Sequence, residues 1–317
     1  MKNIIAPLSV PGNKQSEFIK NMRLLTKNSG KLFLIAADQK IEHLNSDFFG
    51  PKIAKEDRTP EHLFNIAKNS NGGILAAHLG LISSYGKDFK NLPYIVKING
   101  KTNLGLNDEK DSSQPLWTVA DVIKFKKQSG LKIAAIGYTI YLGGKYEAQM
   151  LKEASRAIFQ AHQAGLVAVI WMYPRGKNIK EEDINTIAGG AGVATCLDAD
   201  FIKIKYPYNA KDKKKTALDF KQAIDAAGKS RVICVGGSKQ SAKDFLSFLN
   251  MQLNISGSSG LAVGRNLHQR SPQEAYRLAK AISAMVHKNA SLKEAMAIYN
   301  QKEGLKKKTK SKLLGFF

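Results

Sequence analysis

Acidic residues are the conspicuous shortage: 26 Asp plus Glu stand against 49 Lys plus Arg in 317 residues, a formal charge of +23. Such a chain attracts polyanions and suits small anionic substrates at any basic pocket. Nucleic acid is nevertheless not the favoured partner. The excess is mostly lysine, it is spread along the whole chain, and it comes with no zinc-finger pattern or RNP-type aromatic signature. Its densest block, Lys306, Lys307, Lys308, Lys310 and Lys312, reads as a mobile basic tail. Cysteine is scarce too. Cys196 and Cys234 lie far apart with no CxxC or Cys/His cluster, which suggests neither a disulfide framework nor a structural zinc site and leaves two small, buried apolar residues. Long apolar runs are missing: nothing approaches the ~20 residues of a membrane-spanning helix, and the run Ile4 to Val10 is short, contains Pro7 and lacks a cleavage pattern. A cytoplasmic protein without a membrane span is expected.

What is present is an alternation. Short apolar runs recur, each followed by a Gly-rich or polar turn and a longer amphipathic stretch, the pattern of strands and helices around a parallel sheet. Eight runs stand out: Leu32 to Ala37, Gly73 to Ala77, Tyr94 to Ile98, Ile133 to Ile140, Val167 to Met172, Phe201 to Lys205, Val232 to Val235, and Gly260 to Val263. Several are apolar at nearly every position, as expected for strands covered on both faces, and their number favours a closed (β/α)8 TIM barrel of the α/β class. Helices are legible at Tyr146 to Ala164 and at Pro272 to His287, the latter with Ser271 as N-cap. Extra helices are expected at Lys14 to Asn28 and Ser291 to Gln301. The implied organisation is an N-terminal extension over 1–30, a catalytic barrel over 31–290, and a C-terminal helix with its lysine-rich tail over 291–317.

Barrel enzymes build their sites at the carboxyl ends of the strands. Read in order, those ends present Asp38, His78, Asn99, Tyr173 with Arg175, Lys203 with Lys205, Gly236-Gly237-Ser238, and Gly264-Arg265. In the sixth run, Lys203 and Lys205 share a face with Phe201, because residues two apart in a strand point the same way. With helices outside, that face is expected to look inward. An amine desolvated beside another cation holds more of its free, nucleophilic form. The opposite reading, lysines reaching solvent or simply binding phosphate, is equally compatible with the periodicity. Trp171 and Tyr173 also share a face, putting a hydroxyl at the rim over an indole. The glycine pairs near the ends of runs seven and eight, with Arg265 beside the second, suit phosphate binding.

The segments AADQKIEHLN (Ala36 to Asn45), YIVKING (Tyr94 to Gly100), AIGYTIYLGG (Ala135 to Gly144), VIWMYPRG (Val169 to Gly176), DADFIKIKYP (Asp198 to Pro207), VGGSK (Val235 to Lys239) and AVGRN (Ala262 to Asn266) resemble, in the same order, those of the archaeal-type (DhnA-like) class I fructose-bisphosphate aldolases. The likeness runs from Leu32 to about His268, roughly three quarters of the chain. It implies a barrel that reversibly cleaves fructose 1,6-bisphosphate into dihydroxyacetone phosphate and glyceraldehyde 3-phosphate in glycolysis and gluconeogenesis. It also implies Lys203 as the Schiff-base lysine, Tyr173 as proton donor, and Asp38 and Trp171 lining the reacting carbons. Gln39, His43, Asp47, Arg175 and Lys205 fall at binding positions, and Gly236, Gly237, Ser238, Gly264 and Arg265 at the phosphate loops. The chain departs from the family at Lys40, where glycine is usual, and at Leu44-Asn45, which replace Gly-Pro.

No metal or organic cofactor is implied, since the lysine imine serves as the electron sink. Of six histidines, only His43 and His78 are expected near the rim, and no spacing makes a zinc triad. The partners implied are a sugar phosphate and further copies of the chain in a homo-oligomer. Two alternatives stay open: a sister Schiff-base enzyme (an amino-dideoxy-heptulosonate synthase or a phospho-autoinducer thiolase), and a non-catalytic, polyanion-binding barrel.

Overall fold

The computed structural model describes residues 4–105, 110–207 and 212–301. Eight parallel strands close on themselves: β1 (Leu32–Ala36), β2 (Ile74–His78), β3 (Pro93–Lys97), β4 (Lys132–Leu142), β5 (Val167–Pro174), β6 (Phe201–Ile204), β7 (Arg231–Val235) and β8 (Gly260–Val263). Each pairs with its neighbours in sequence, and β8 returns to β1 with Leu32 opposite Gly260 and Ile35 opposite Val263. The expected runs therefore form one barrel, their ends displaced by no more than a few residues. Alternation splits each strand between two cores. Leu32, Leu34, Ile74, Ala76, Ile95, Val169, Trp171 and Phe201 fill the barrel, while Phe33, Ile35, Leu75, Tyr94, Val96 and Ile170 pack under the helices.

The helix Gln15–Thr26 belongs to the inner core. Its residues Phe18, Met22 and Leu25, at helical spacing, join Val10 and the barrel interior in one cluster, so the helix stoppers the amino end. Each fully buried side chain of this size contributes about 1.5–3 kcal/mol. At the other terminus, Leu292–Asn300 is started by a capping box between Ser291 and Glu294 and packs against Pro272–Lys288. Two local expectations are corrected. Ser271 precedes that helix, but its hydroxyl makes no cap hydrogen bond, leaving Pro272 as the starting device. Cys196 is exposed at the end of the helix Ile184–Cys196, on the side of the last turn away from the buried Ala194, and only Cys234 is buried. The expected basic tail, Lys306 to Lys312, lies outside the described residues. Among the described residues no helix is long and apolar enough to cross a membrane.

Candidate active site

The barrel's carboxyl end holds a cavity of about 580 Å3. Lys203 is 4 % exposed, pairs across the sheet with Trp171, and carries its Nζ 5.0 Å from the centroid of the indole ring. The inward reading of β6 is therefore the structure's. Tyr173, one turn of the alternation above Trp171, brings its hydroxyl against Lys203: loss of solvent raises this phenol, and Lys203 pulls it back down. Asp38, at the end of β1, completes the group. Gln39, His43, Arg175, Lys205, Gly236, Gly237, Ser238 and Arg265 also line the cavity.

Two predicted residues stand behind it. Asp47 accepts a hydrogen bond from His43 Nδ1 and lies 4.0 Å from Arg265 Nε. Burial by itself would raise the Asp47 carboxyl, but His43 and Arg265 outweigh it and hold Asp47 below the usual carboxylate range. Gly264 is needed for close approach, since a Cβ there would sit 1.9 Å from Gln39 Oε1. Leu44, in the family's glycine position, adopts a left-handed φ of 55°, and Lys40 places its ammonium 4.0 Å above the Phe48 ring.

Lys205 differs from the expectation of a cation beside Lys203. The strand ends at Ile204, so Lys205 leaves the ladder and pairs at the rim with Glu181 (3.3 Å) and Glu182 (3.2 Å). The cation that shares the floor with Lys203 is Lys97, at the end of β3, 3 % exposed and 5.6 Å from the Trp171 ring centroid. Its ammonium donates to the carbonyl of Asn99 (2.7 Å) and to Asn99 Oδ1 (2.6 Å), and Asn99 in turn donates to the Thr139 carbonyl. Gly137 makes room for both: a Cβ there would fall 2.4 Å from Trp171 and 3.3 Å from Lys97. Burial, with the charges of Lys97 and Asp38 acting in opposite senses, pushes His78 down to about 4, so it is neutral near pH 7. Composition offered no sign of Lys97, because a lysine ending an apolar run reads equally well as a solvated rim.

At the two glycine loops, Asn266 donates to the carbonyls of Gly236 (2.9 Å) and Ser238 (2.8 Å) and accepts from the Gln240 amide (2.9 Å), tying the loop after β7 to the end of β8. Four of the eight buried polar side-chain atoms without a hydrogen-bond partner among the described residues, Asp38 Oδ1, Gln39 Oε1, Trp171 Nε1 and Arg265 Nε, belong to residues of this site. Such clustering marks a place where a ligand supplies the missing partners.

A neighbouring cavity of about 640 Å3 shares Arg175 and Glu181 with the first and adds Lys101, Lys145 and Lys177. Arg175 stacks 4.5 Å over Tyr141, whose hydroxyl donates to Glu42 Oε1 at 3.1 Å. Glu42, Thr139, Tyr141, Glu181 and Glu182 are cavity residues absent from the sequence-based set, and the one signal for any of them is strand alternation, which puts Thr139 and Tyr141 on the face of Gly137.

The family model for DeoC/LacD family aldolases matches residues 32–270. A fructose-bisphosphate aldolase/6-deoxy-5-ketofructose 1-phosphate synthase of Methanocaldococcus jannaschii is 50 % identical over 299 residues, covering 94 % of this chain and 95 % of that protein. A class 1 fructose-bisphosphate aldolase of Halobacterium salinarum is 34 % identical over 272 residues, 84 % of this chain and 94 % of that one. Among solved structures, the fructose-bisphosphate aldolase of Slackia heliotrinireducens superposes with a TM-score of 0.90 at 42 % identity, covering 96 % of both chains. An archaeal fructose-1,6-bisphosphate aldolase whose catalytic lysine carries the carbinolamine intermediate of the substrate superposes at 0.72 with 30 % identity, over 85 % of this chain and 99 % of that one. The matches span the strands, the buried lysine and both glycine loops, and the chain belongs to the DeoC/LacD family of aldolases and, within it, to the archaeal-type class I fructose-bisphosphate aldolases.

Proposed function

We propose that this protein reversibly cleaves fructose 1,6-bisphosphate to dihydroxyacetone phosphate and glyceraldehyde 3-phosphate through an imine on Lys203. The observation that carries this reading is a buried lysine against a phenol, in one cavity with the Asp38 carboxylate, below a rim that is cationic at two separate places. The free amine of Lys203 adds to the C2 ketone, and loss of water leaves an iminium that accepts the electron pair of the breaking C3–C4 bond. Asp38 takes the C4 hydroxyl proton as the aldehyde leaves, either directly or through the Tyr173 hydroxyl, which accepts that proton while passing its own to the Asp38 carboxylate. Tyr173 then returns a proton to C3 of the enamine, and water hydrolyses the iminium to free the second triose. No metal is needed, because the iminium supplies the electron sink.

The two phosphates have separate cradles in this reading. Gly236, Gly237, Ser238, Gly264 and Arg265 take the phosphate on C1. Arg175, with Lys101, Lys145 and Lys177 beyond it, takes the phosphate on C6, where several cations converge on one dianion. Trp171 lies under the reacting carbons, while Gln39, His43 and Asp47 orient Arg265 and the polar end of the sugar. Lys205, held by Glu181 and Glu182, borders the sugar chain. Glycolysis and gluconeogenesis, the cytoplasm and a homo-oligomer form the setting that goes with this assignment.

A second reading is favoured by the 50 % identity to the bifunctional Methanocaldococcus jannaschii protein. Retro-aldol logic divides 6-deoxy-5-ketofructose 1-phosphate into the same C1–C3 unit and 2-oxopropanal, so Lys203 would serve both reactions. The two are told apart by incubating the full chain with EDTA and fructose 1,6-bisphosphate, with and without 2-oxopropanal, and following triose phosphates and the deoxyketose phosphate by mass. Triose release without 2-oxopropanal, undiminished by chelation, is the expected result; no carbon–carbon cleavage under any of these conditions would refute the assignment.

A further inference from the structure

The amino end of the barrel, remote from Lys203, carries a second large concavity of about 1020 Å3. One wall is the helix Gln15–Thr26 and the residue that caps it, which place Lys20, Arg23 and Lys27 on one face at spacings of three and four. Facing it are Lys68 at the end of the helix Glu61–Asn69, Lys87 and Lys90 ahead of β3, and Lys132 at the start of β4. Asp88 is the one carboxylate among the eighteen lining residues, seven of which are cationic. That is about two and a half times the density of Lys plus Arg in the chain at large, 49 in 317, so a generally basic composition does not account for it.

These cations have little inside the protein to balance them. Among the described residues no salt bridge reaches any of the seven. Lys68 sits 5.7 Å from the Phe89 ring and Lys132 makes only long contacts, 3.4 Å, to Asn91. Like charges three and four apart on a helix repel one another. Two helix carboxyl ends lie here, each worth about half a negative charge, which still leaves a strong positive excess. A second copy of the chain docked face to face would set cation against cation. Walls on opposite sides of a basin suit a compact ligand better than a polymer strand.

We propose that this cavity binds a small ligand bearing two or more phosphate groups, at a site separate from the catalytic one. The shared chemistry is a short polyphosphate, whether inorganic or carried by a nucleotide. The site does not depend on the aldolase reading, since it uses none of that machinery.

The test is calorimetric titration of the full chain with inorganic tripolyphosphate and, separately, with a nucleoside triphosphate, at near-physiological salt. Two classes of site are expected, because the catalytic phosphate loops also take anions. The variant Lys20→Gln/Arg23→Gln/Lys87→Gln, altered only at exposed positions, should weaken one class at least about tenfold. Its melting temperature and fructose 1,6-bisphosphate cleavage should stay as in the wild type. A control with the same loss of charge at other exposed positions, Lys213→Gln/Lys214→Gln/Lys229→Gln, should keep both classes. Equal affinity for the two probes identifies the phosphate chain as what is read, and tighter binding of the nucleotide identifies a base-reading site; both support the proposal. It is overturned if the triple variant titrates like the wild type, if the control loses as much, or if a single-stranded oligonucleotide outcompetes tripolyphosphate at equal phosphate concentration.

Discussion

Replacing Lys97 by methionine removes a buried charge while keeping most of the side chain's length. Burial pushes this ammonium from its ordinary 10.5 down to about 8; Asp38 and Glu42 pull it up again, and Lys203 pushes it further down. Each unit corresponds to about 1.4 kcal/mol, so below pH ~8, where folded and unfolded chains are both protonated, carrying the charge into the fold costs about 3 kcal/mol. The unfolded lysine holds its proton more tightly than the folded one. Stability therefore rises between pH ~8 and ~10.5, as the folded lysine gives up its proton first, and about 2 kcal/mol of that gain is realised on going from pH ~7 to ~9.5. Methionine has no proton to lose. Its lost hydrogen bonds to Asn99 weaken the fold equally at both pH values and cancel in the comparison. Urea unfolding of wild type and Lys97→Met at both pH values should show the wild type gaining about 2 kcal/mol more than the variant on the alkaline side. Identical pH dependence in the two proteins would refute the reasoning, since it would mean that Lys97 is not a buried ammonium.

Two further outcomes follow from the site. Tyr173→Phe removes the proposed proton donor but leaves Lys203 and Trp171 in place, so steady-state cleavage should fall by about 10²–10³ while borohydride still traps the substrate on the enzyme; loss of trapping together with turnover would mean that Tyr173 is needed to form the imine. Arg175→Ala should lower kcat/KM for fructose 1,6-bisphosphate by about 10–100-fold and leave that for fructose 1-phosphate within about threefold, because only the first substrate offers a phosphate to that end of the cavity. Equal losses with both substrates would put Arg175 at the reacting carbons instead.

Much of the barrel was legible because burial on both faces leaves a strong signature. Runs such as Phe201 to Ile204 are apolar where they meet helices, and the lysine breaking the run marks the inner face. The glycine loops could be read from their place in the strand order, which is local information. The features that sequence does not show depend on partners distant along the chain. Lys97 ends an apolar run as a rim lysine would, and only closure of β3 onto β4, which sets it opposite Gly137, buries it beneath Trp171. Alternation groups Lys205 with Lys203, but alternation holds only while the strand lasts, and β6 stops one residue short. The helix Gln15–Thr26 showed its apolar stripe plainly; that the stripe fills the amino end of the barrel is a tertiary fact. Glu42 ends the short helix Gln39–Glu42 and Glu181 and Glu182 lie in a turn, places outside the strands where charge is unremarkable until folding gathers it around a cavity.

The most direct test of the account is to incubate the protein with fructose 1,6-bisphosphate and EDTA, reduce with borohydride, and locate the adduct by peptide mass. The account predicts a triose phosphate adduct on Lys203 alone, absent from Lys203→Ala, whose cleavage activity is abolished as well. An adduct on another lysine, or trapping retained in Lys203→Ala, would contradict it.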